Sequence, residues 1–159
     1  MLLINLKNVS RVFFIYLLLT NSAHSAESVK IENAWSPEAP PVVKVMAGYM
    51  KINNLSNKDI KIKSLKSTFF KRVEIHLTEM KYGMVHMVKQ KSLTIKAKSY
   101  IELKPGELHM MLIGKLKAIN TGSSIPLTLS FDNNESINIH LAVKSDNQPE
   151  MKCGSMMKH

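Results

Sequence analysis

Four residues of this chain combine types and spacing that could do chemistry: His76, Met87, His109 and Met111. They read His, ten residues, Met, twenty-one residues, His, one residue, Met. Thioether sulfur is neutral and polarizable and favours Cu(I), while imidazole tolerates either oxidation state of copper. Structural zinc sites draw on thiolates or several His, and calcium and magnesium want oxygen donors; this set offers neither. Blue-copper electron transfer needs a Cys thiolate beside two His, and the single cysteine, Cys153, lies near the C-terminus. Taken one at a time, each residue has an ordinary explanation. A strand Met commonly fills a core, and a strand His is commonly hydrogen-bonded or at the surface. Spacing and residue type by themselves therefore leave the site open.

The elements that must position these residues read as strands. Period-two alternation dominates, with expected strands at 29–35, 45–52, 59–65, 72–77, 84–89, 109–113, 125–131 and 136–143, and short candidate pieces at 93–97 and 100–103. Ser36-Pro37 is expected to end the first of these. Lys81-Tyr82-Gly83 marks a hairpin turn, and Lys104-Pro105-Gly106-Glu107 is a strong turn signal. No segment longer than two turns has a helical period. Seven to nine strands at this spacing predict an all-β fold, a β-sandwich or Greek-key barrel. Residues two apart on a strand share a face, so His109 and Met111 can serve one ion. His76 and Met87 lie on the two arms of one hairpin, within cross-strand reach. Met84 and His86 have the opposite parity to Met87 and are weaker alternates. Met46, Met50 and Met110 read as packing, and His140 as a sheet-face residue.

Three segments are expected: a signal peptide at 1–25, a β-sandwich domain at 26–144 and a flexible tail at 145–159. Lys7 and Arg11 precede the apolar run 12–19, and Ala23-His24-Ser25 offers a small-x-small cleavage pattern. That run is too short to span a bilayer comfortably, and no Cys follows it to carry a lipid. Export to a periplasm is the expected destination, with no stable membrane insertion. Removing the leader lowers the formal net charge from +10 to +8, a balance suited to acidic protein surfaces or anionic membranes. Export argues against nucleic acid as the partner. A lone cysteine excludes an internal disulfide. The tail gathers Met151, Cys153, Met156, Met157 and His159, which could form a second, weaker copper site that also takes Cu(II).

The spacing and its flanks resemble the periplasmic copper chaperone family PCu(A)C. Ala34-Trp35 with the Pro-rich loop after it, and Ala47-Gly48-Tyr49-Met50, look like that family's N-terminal signature. Val73-Glu74-Ile75-His76 and the run 103–112 look like its metal-bearing segments, and the run 125–131 like its closing strand. The likeness covers roughly residues 28–143. It implies a cupredoxin-like β-sandwich holding one Cu(I) on His76, Met87, His109 and Met111. It further implies delivery to the CuA centre of cytochrome c oxidase, with subunit II or a thiol-containing assembly factor as partner. Two positions depart from the family pattern: Gly106-Glu107 replaces a frequent Gly-Gly and brings a carboxylate near the site, and Ile113-Gly114-Lys115 replaces Met-Gly-Leu. No Ser-His-Asp set or paired carboxylates point to an enzyme. Imidazole ligates only when deprotonated, so Cu(I) affinity is expected to weaken as pH falls. The alternative function is periplasmic copper buffering and resistance, separable by phenotype: copper-rescued loss of respiration marks delivery, and copper hypersensitivity marks buffering. An adhesion module with packed Met and His would bind no copper.

Overall fold

A computed structural model describes residues 28–145. The expected signal peptide, and the expected tail apart from Ser145, lie outside the described residues. Ten strands make up the described chain, with no helix among those residues: β1 Val29–Pro37, β2 Val45–Asn54, β3 Ile60–Lys66, β4 Phe70–Lys81, β5 Met84–Lys89, β6 Leu93–Ile95, β7 Tyr100–Leu103, β8 Leu108–Lys115, β9 Ser124–Phe131 and β10 Ser136–Lys144. Their order is β5-β4-β8-β2-β1-β10-β9-β3-β6, with β7 also paired to β2. The fold is all-β, as expected.

Alternation along the strands builds the core. β9 buries Ile125, Leu127, Leu129 and Phe131 while the residues between them stay half-exposed. β2 buries Met46, Met50, Ile52 and Asn54 at the same period. One face of each strand therefore packs inward, and each large apolar side chain so buried stabilises the fold by about 1.5–3 kcal/mol. In β8, Met110 and Leu112 are fully buried, which turns their neighbours His109 and Met111 to the opposite face. β2 approaches Met110 so closely that a Cβ at Gly48 would lie 2.8 Å from the Met110 methyl carbon.

Two expectations needed correction. Ten strands form rather than seven to nine, because the short β6 and β7 both find partners, β3 and β2. Ser36-Pro37 does not stop β1 at Trp35 but forms its last two residues. A shift in register between Glu32 and Trp35, with Asn33 at φ 52°, bends β1, which meets β2 again at Trp35 opposite Tyr49. Residues 35–37 then pair in parallel with β10. Buried Ser36 anchors this bend by donating its hydroxyl to the Ala47 carbonyl at 2.7 Å.

The site-bearing strands are β4, β5 and β8, at one end of the strand order. β4 and β5 join through Tyr82-Gly83, both at positive φ (53° and 75°), as a two-residue hairpin requires. β7 and β8 lie along successive stretches of β2, interrupted by the Pro105-Gly106 turn. The Lys104 amide donates to the Leu108 carbonyl at 2.7 Å and closes that turn, so β8 begins one residue before His109.

Candidate metal centre

Strand register decides which side chains can meet. β4 lies antiparallel to β8, with Glu74 opposite Met111 and His76 opposite His109. β5 returns along the other edge of β4, with Met87 opposite Thr78 and Lys89 opposite His76. On the far side of β8, Ala47 stands opposite Met111. Directly paired residues share a face, so Glu74, His76, Thr78, Met87, Lys89, His109 and Met111 all project from the same side. Met87 is not directly across from His76; it sits one same-face step nearer the hairpin turn, a diagonal that long side chains can span.

A cavity of about 380 Å³ opens on this face, its walls including Met87, His109, Met111, Thr78, Ala47 and Tyr49. The Tyr49 ring leans on Trp35, with centroids 4.9 Å apart. His76 is not part of that wall. It stands beside His109 in the neighbouring strand, ring centroids 6.2 Å apart and planes inclined by 35°. A second cavity of about 360 Å³, between β3 and β4, is lined by Lys63, Lys71 and Lys91 among others and carries neither His nor Met. Among the described residues no three His, Cys, Asp or Glu side chains gather as a metal site on their own.

The two imidazoles are held differently. His109 is 7 % exposed, and its Nδ1 lies 2.9 Å from the Glu107 carbonyl. A carbonyl only accepts, so Nδ1 carries the proton, and in the neutral ring the lone pair falls on Nε2. The Pro105-Gly106 turn thus sets this tautomer by presenting the Glu107 carbonyl. The Glu107 side chain points elsewhere: its carboxylate pairs with Lys104 at 3.0 Å, and that contact raises the Lys104 pKa.

His76 is anchored through its other nitrogen. Nε2 lies 3.0 Å from Glu74 Oε2, while the buried Nδ1 has no hydrogen-bond partner among the described residues. A buried polar atom left unpaired costs about 1–3 kcal/mol, so the fold carries a penalty at this atom. Glu74 itself is well supported. Its Oε1 accepts from Lys89 Nζ at 2.7 Å, and Arg72 Nε lies 3.7 Å away. The Lys89 hydrogen bond, then the His76 one, holds the Glu74 carboxyl below the usual glutamate range. Sequence reasoning assigned Glu74 no role. The signal was available in strand parity, since Glu74 is two residues before His76 and so shares its face.

The weaker candidates divide into two groups. Met84 and His86 are exposed on β5, opposite Lys81 and Glu79 and at alternate parity to Met87, so they project away from the cavity. Cys153, Met156, Met157 and His159 lie outside the described residues. Met46, Met50 and Met110 are buried in the core, and His140 is exposed on β10.

Comparison with known proteins adds the following. The LpqE-like family matches residues 29–143. An uncharacterized protein of Rickettsia prowazekii, RP573, is 29% identical over 126 residues, covering 75% of this chain and 69% of its own. Among solved structures, the copper-bound PCuAC domain from PmoF2 superposes with a TM-score of 0.64 at 20% identity, covering 77% of this chain and 97% of that one. The Cu(I) form of DR1885 from Deinococcus radiodurans gives 0.62 at 23% identity, covering 80% and 85%. Its apo form gives 0.59 at 26%, covering 77% and 83%.

Proposed function

The chain belongs to the LpqE-like (PCuAC) family, and on that premise we propose that it is a periplasmic carrier of Cu(I). The ion is cargo, held by His76, Met87, His109 and Met111 and handed to a copper-accepting protein, the CuA centre of cytochrome c oxidase being the acceptor. No bond in a substrate is made or broken, so the protein is a carrier rather than an enzyme. One observation supports the reading above others. Three strands bring two imidazoles and two thioethers to one sheet face, with Met87, His109 and Met111 around a single cavity. The donor chemistry suits the cargo, because neutral thioethers add softness without charge. Copper-bound relatives of the same fold add weight.

Exposure orders the steps of transfer. Met87 is 59% exposed on an edge strand, whereas His109 is 7% exposed. An incoming thiolate or imidazole would bind the ion from the exposed side and displace Met87 first and His109 last, so exchange would proceed from the hairpin inward. The formal charge of +8 that remains without the leader favours an acidic acceptor surface and salt-sensitive transfer. No helix among the described residues is long and apolar enough to cross a membrane, which is compatible with a carrier that must diffuse.

Anaerobic Cu(I) titration against a chromophoric chelator tests the reading. The wild type is expected to take one tight equivalent on this face. His109→Ala and Met111→Ala should lose most of the affinity, and Met87→Ala should keep weaker binding but exchange faster. Wild-type protein that fails to compete with the chelator, or variants that match it, would overturn the proposal.

A further inference from the structure

The two His side chains meet different kinds of acceptor through different ring nitrogens. His109 donates Nδ1–H to a backbone carbonyl, an anchor supplied by the turn that precedes it. His76 faces a carboxylate, which at neutral pH only accepts, so the nitrogen 3.0 Å from Glu74 must carry the proton. That nitrogen is Nε2. The lone pair of a neutral His76 then resides on Nδ1, the buried ring atom without a partner among the described residues. The carboxylate divides its oxygens between two tasks: Oε1 receives Lys89 and faces Arg72, and Oε2 receives the imidazole. Lys89 on β5 pairs directly with His76 on β4, and Glu74 on β4 pairs directly with Met111 on β8. Glu74 is therefore fixed by cations on one side while it orients a candidate ligand on the other.

We propose that Glu74 is a positioning residue that holds His76 as its Nε2–H tautomer, so that His76 offers Nδ1 to the ion while His109 offers Nε2. The inference rests on the Cu(I)-carrier reading for its purpose, but its structural half is independent of metal. A carboxylate behind a ligating imidazole fixes ring orientation and raises ligand basicity, and losing such a partner typically lowers metal affinity about 10–100-fold. The unpaired Nδ1 is then the atom kept for the ion.

Nitrogen-15 NMR of the imidazoles in metal-free protein reads the tautomers directly. The expected result is Nε2–H for His76 and Nδ1–H for His109. Glu74→Gln keeps an acceptor oxygen and should preserve the His76 tautomer and most of the Cu(I) affinity. Glu74→Ala should give a mixed tautomer and an affinity loss of about 10–100-fold. Combined with His76→Ala, Glu74→Ala should cost nothing further, because its effect runs through that ring. Lys89→Gln loosens the carboxylate without touching the imidazole and should give a smaller change of the same kind. A His76 ring found as the Nδ1–H tautomer, or doubly protonated at neutral pH, would overturn the proposal while leaving the carrier reading intact. So would equal Cu(I) affinity in wild type and Glu74→Ala, or an additive loss in the double variant. Failure of wild-type protein to bind Cu(I) would instead remove the carrier reading, with the tautomer result still deciding the role of Glu74 in the metal-free fold.

Discussion

Asn54 and His76 both place polar side-chain atoms inside the described fold, and they are treated in opposite ways. Asn54 closes β2 at 1% exposure. Its Nδ2 donates to the carbonyls of Lys58, Ile95 and Lys96 at 2.7, 3.1 and 3.1 Å. Its Oδ1 accepts from the Ser56 amide and hydroxyl at 3.0 and 2.7 Å. One amide thus ties the end of β2 to the 56–58 turn and to β6, with every polar atom used. His76 has one nitrogen paired and the other buried without a partner among the described residues. Native folds satisfy nearly all buried polar atoms, and the exceptions concentrate where chemistry needs a free lone pair. The contrast separates a polar group that holds the fold together from one that the fold holds ready.

The largest effect on stability is expected at the satisfied residue. Asn54→Ala removes the Nδ2 contacts to the Lys58, Ile95 and Lys96 carbonyls and the Oδ1 contacts from Ser56. A loss of about 3 kcal/mol follows from typical net bond energies for a buried, fully paired amide. Urea unfolding measures it, and a midpoint unchanged from wild type would contradict the structural role. Cu(I) affinity of the folded variant should be unaffected, since none of these contacts reaches β4, β5 or β8.

At His76 the balance should invert. Replacing a partly satisfied ring by an apolar side chain removes the buried unpaired nitrogen, and Glu74 retains Lys89. His76→Leu is expected to leave stability within about 1 kcal/mol of wild type, or to raise it, while Cu(I) affinity collapses. Matched urea and chelator-competition measurements on this variant and Asn54→Ala form a crossed pair. If His76→Leu destabilises as much as Asn54→Ala, the imidazole is structural and the contrast fails.

How far the sequence revealed these two residues differs for a physical reason. Alternation exposed the strands, and the parity of His109 and Met111 was readable because a strand's faces repeat every second residue. The buried or exposed fate of Met110 and His140 followed from the same rule. The direct pairing of His76 with His109 was not readable, because register between strands distant in sequence is fixed by the packed sheet rather than by either segment. The same limit hid the offset that puts Met87 opposite Thr78 instead of His76. Ser36-Pro37 reads as a stop after Trp35 by local chemistry alone, yet β1 runs on to Pro37 because residues 35–37 also gain β10 as a parallel partner. Asn54 looks like an ordinary turn residue; only the convergence of the 56–58 turn and β6 reveals how many acceptors surround it. Glu74 was missed although its parity was visible, because a glutamate two residues after Arg72 in a strand reads as a solvated charge.

The smallest effect belongs to the exposed counterpart of the Asn54 corner. Asp59 braces the same β3–β6 junction from outside, its Oδ2 on Lys96 Nζ at 2.8 Å and its Oδ1 accepting from the Ala97 amide at 2.9 Å. The Lys96 hydrogen bond, then the Ala97 amide, lowers the Asp59 pKa from its ordinary value. A depressed native pKa means that folding favours the charged form, so the stabilisation is complete above the ordinary aspartate range near about 3.9. It disappears as pH falls through the lower native value. Exposed pairs contribute little and are screened by salt, so this term ranks below both buried residues. Thermal melts of wild type and Asp59→Asn across the acid range should differ most at mildly acidic pH and converge at the lowest pH, with the gap shrinking in high salt. A gap that stays constant with pH would show that the Asp59 charge adds nothing and that the buried amide of Asn54 secures the corner alone.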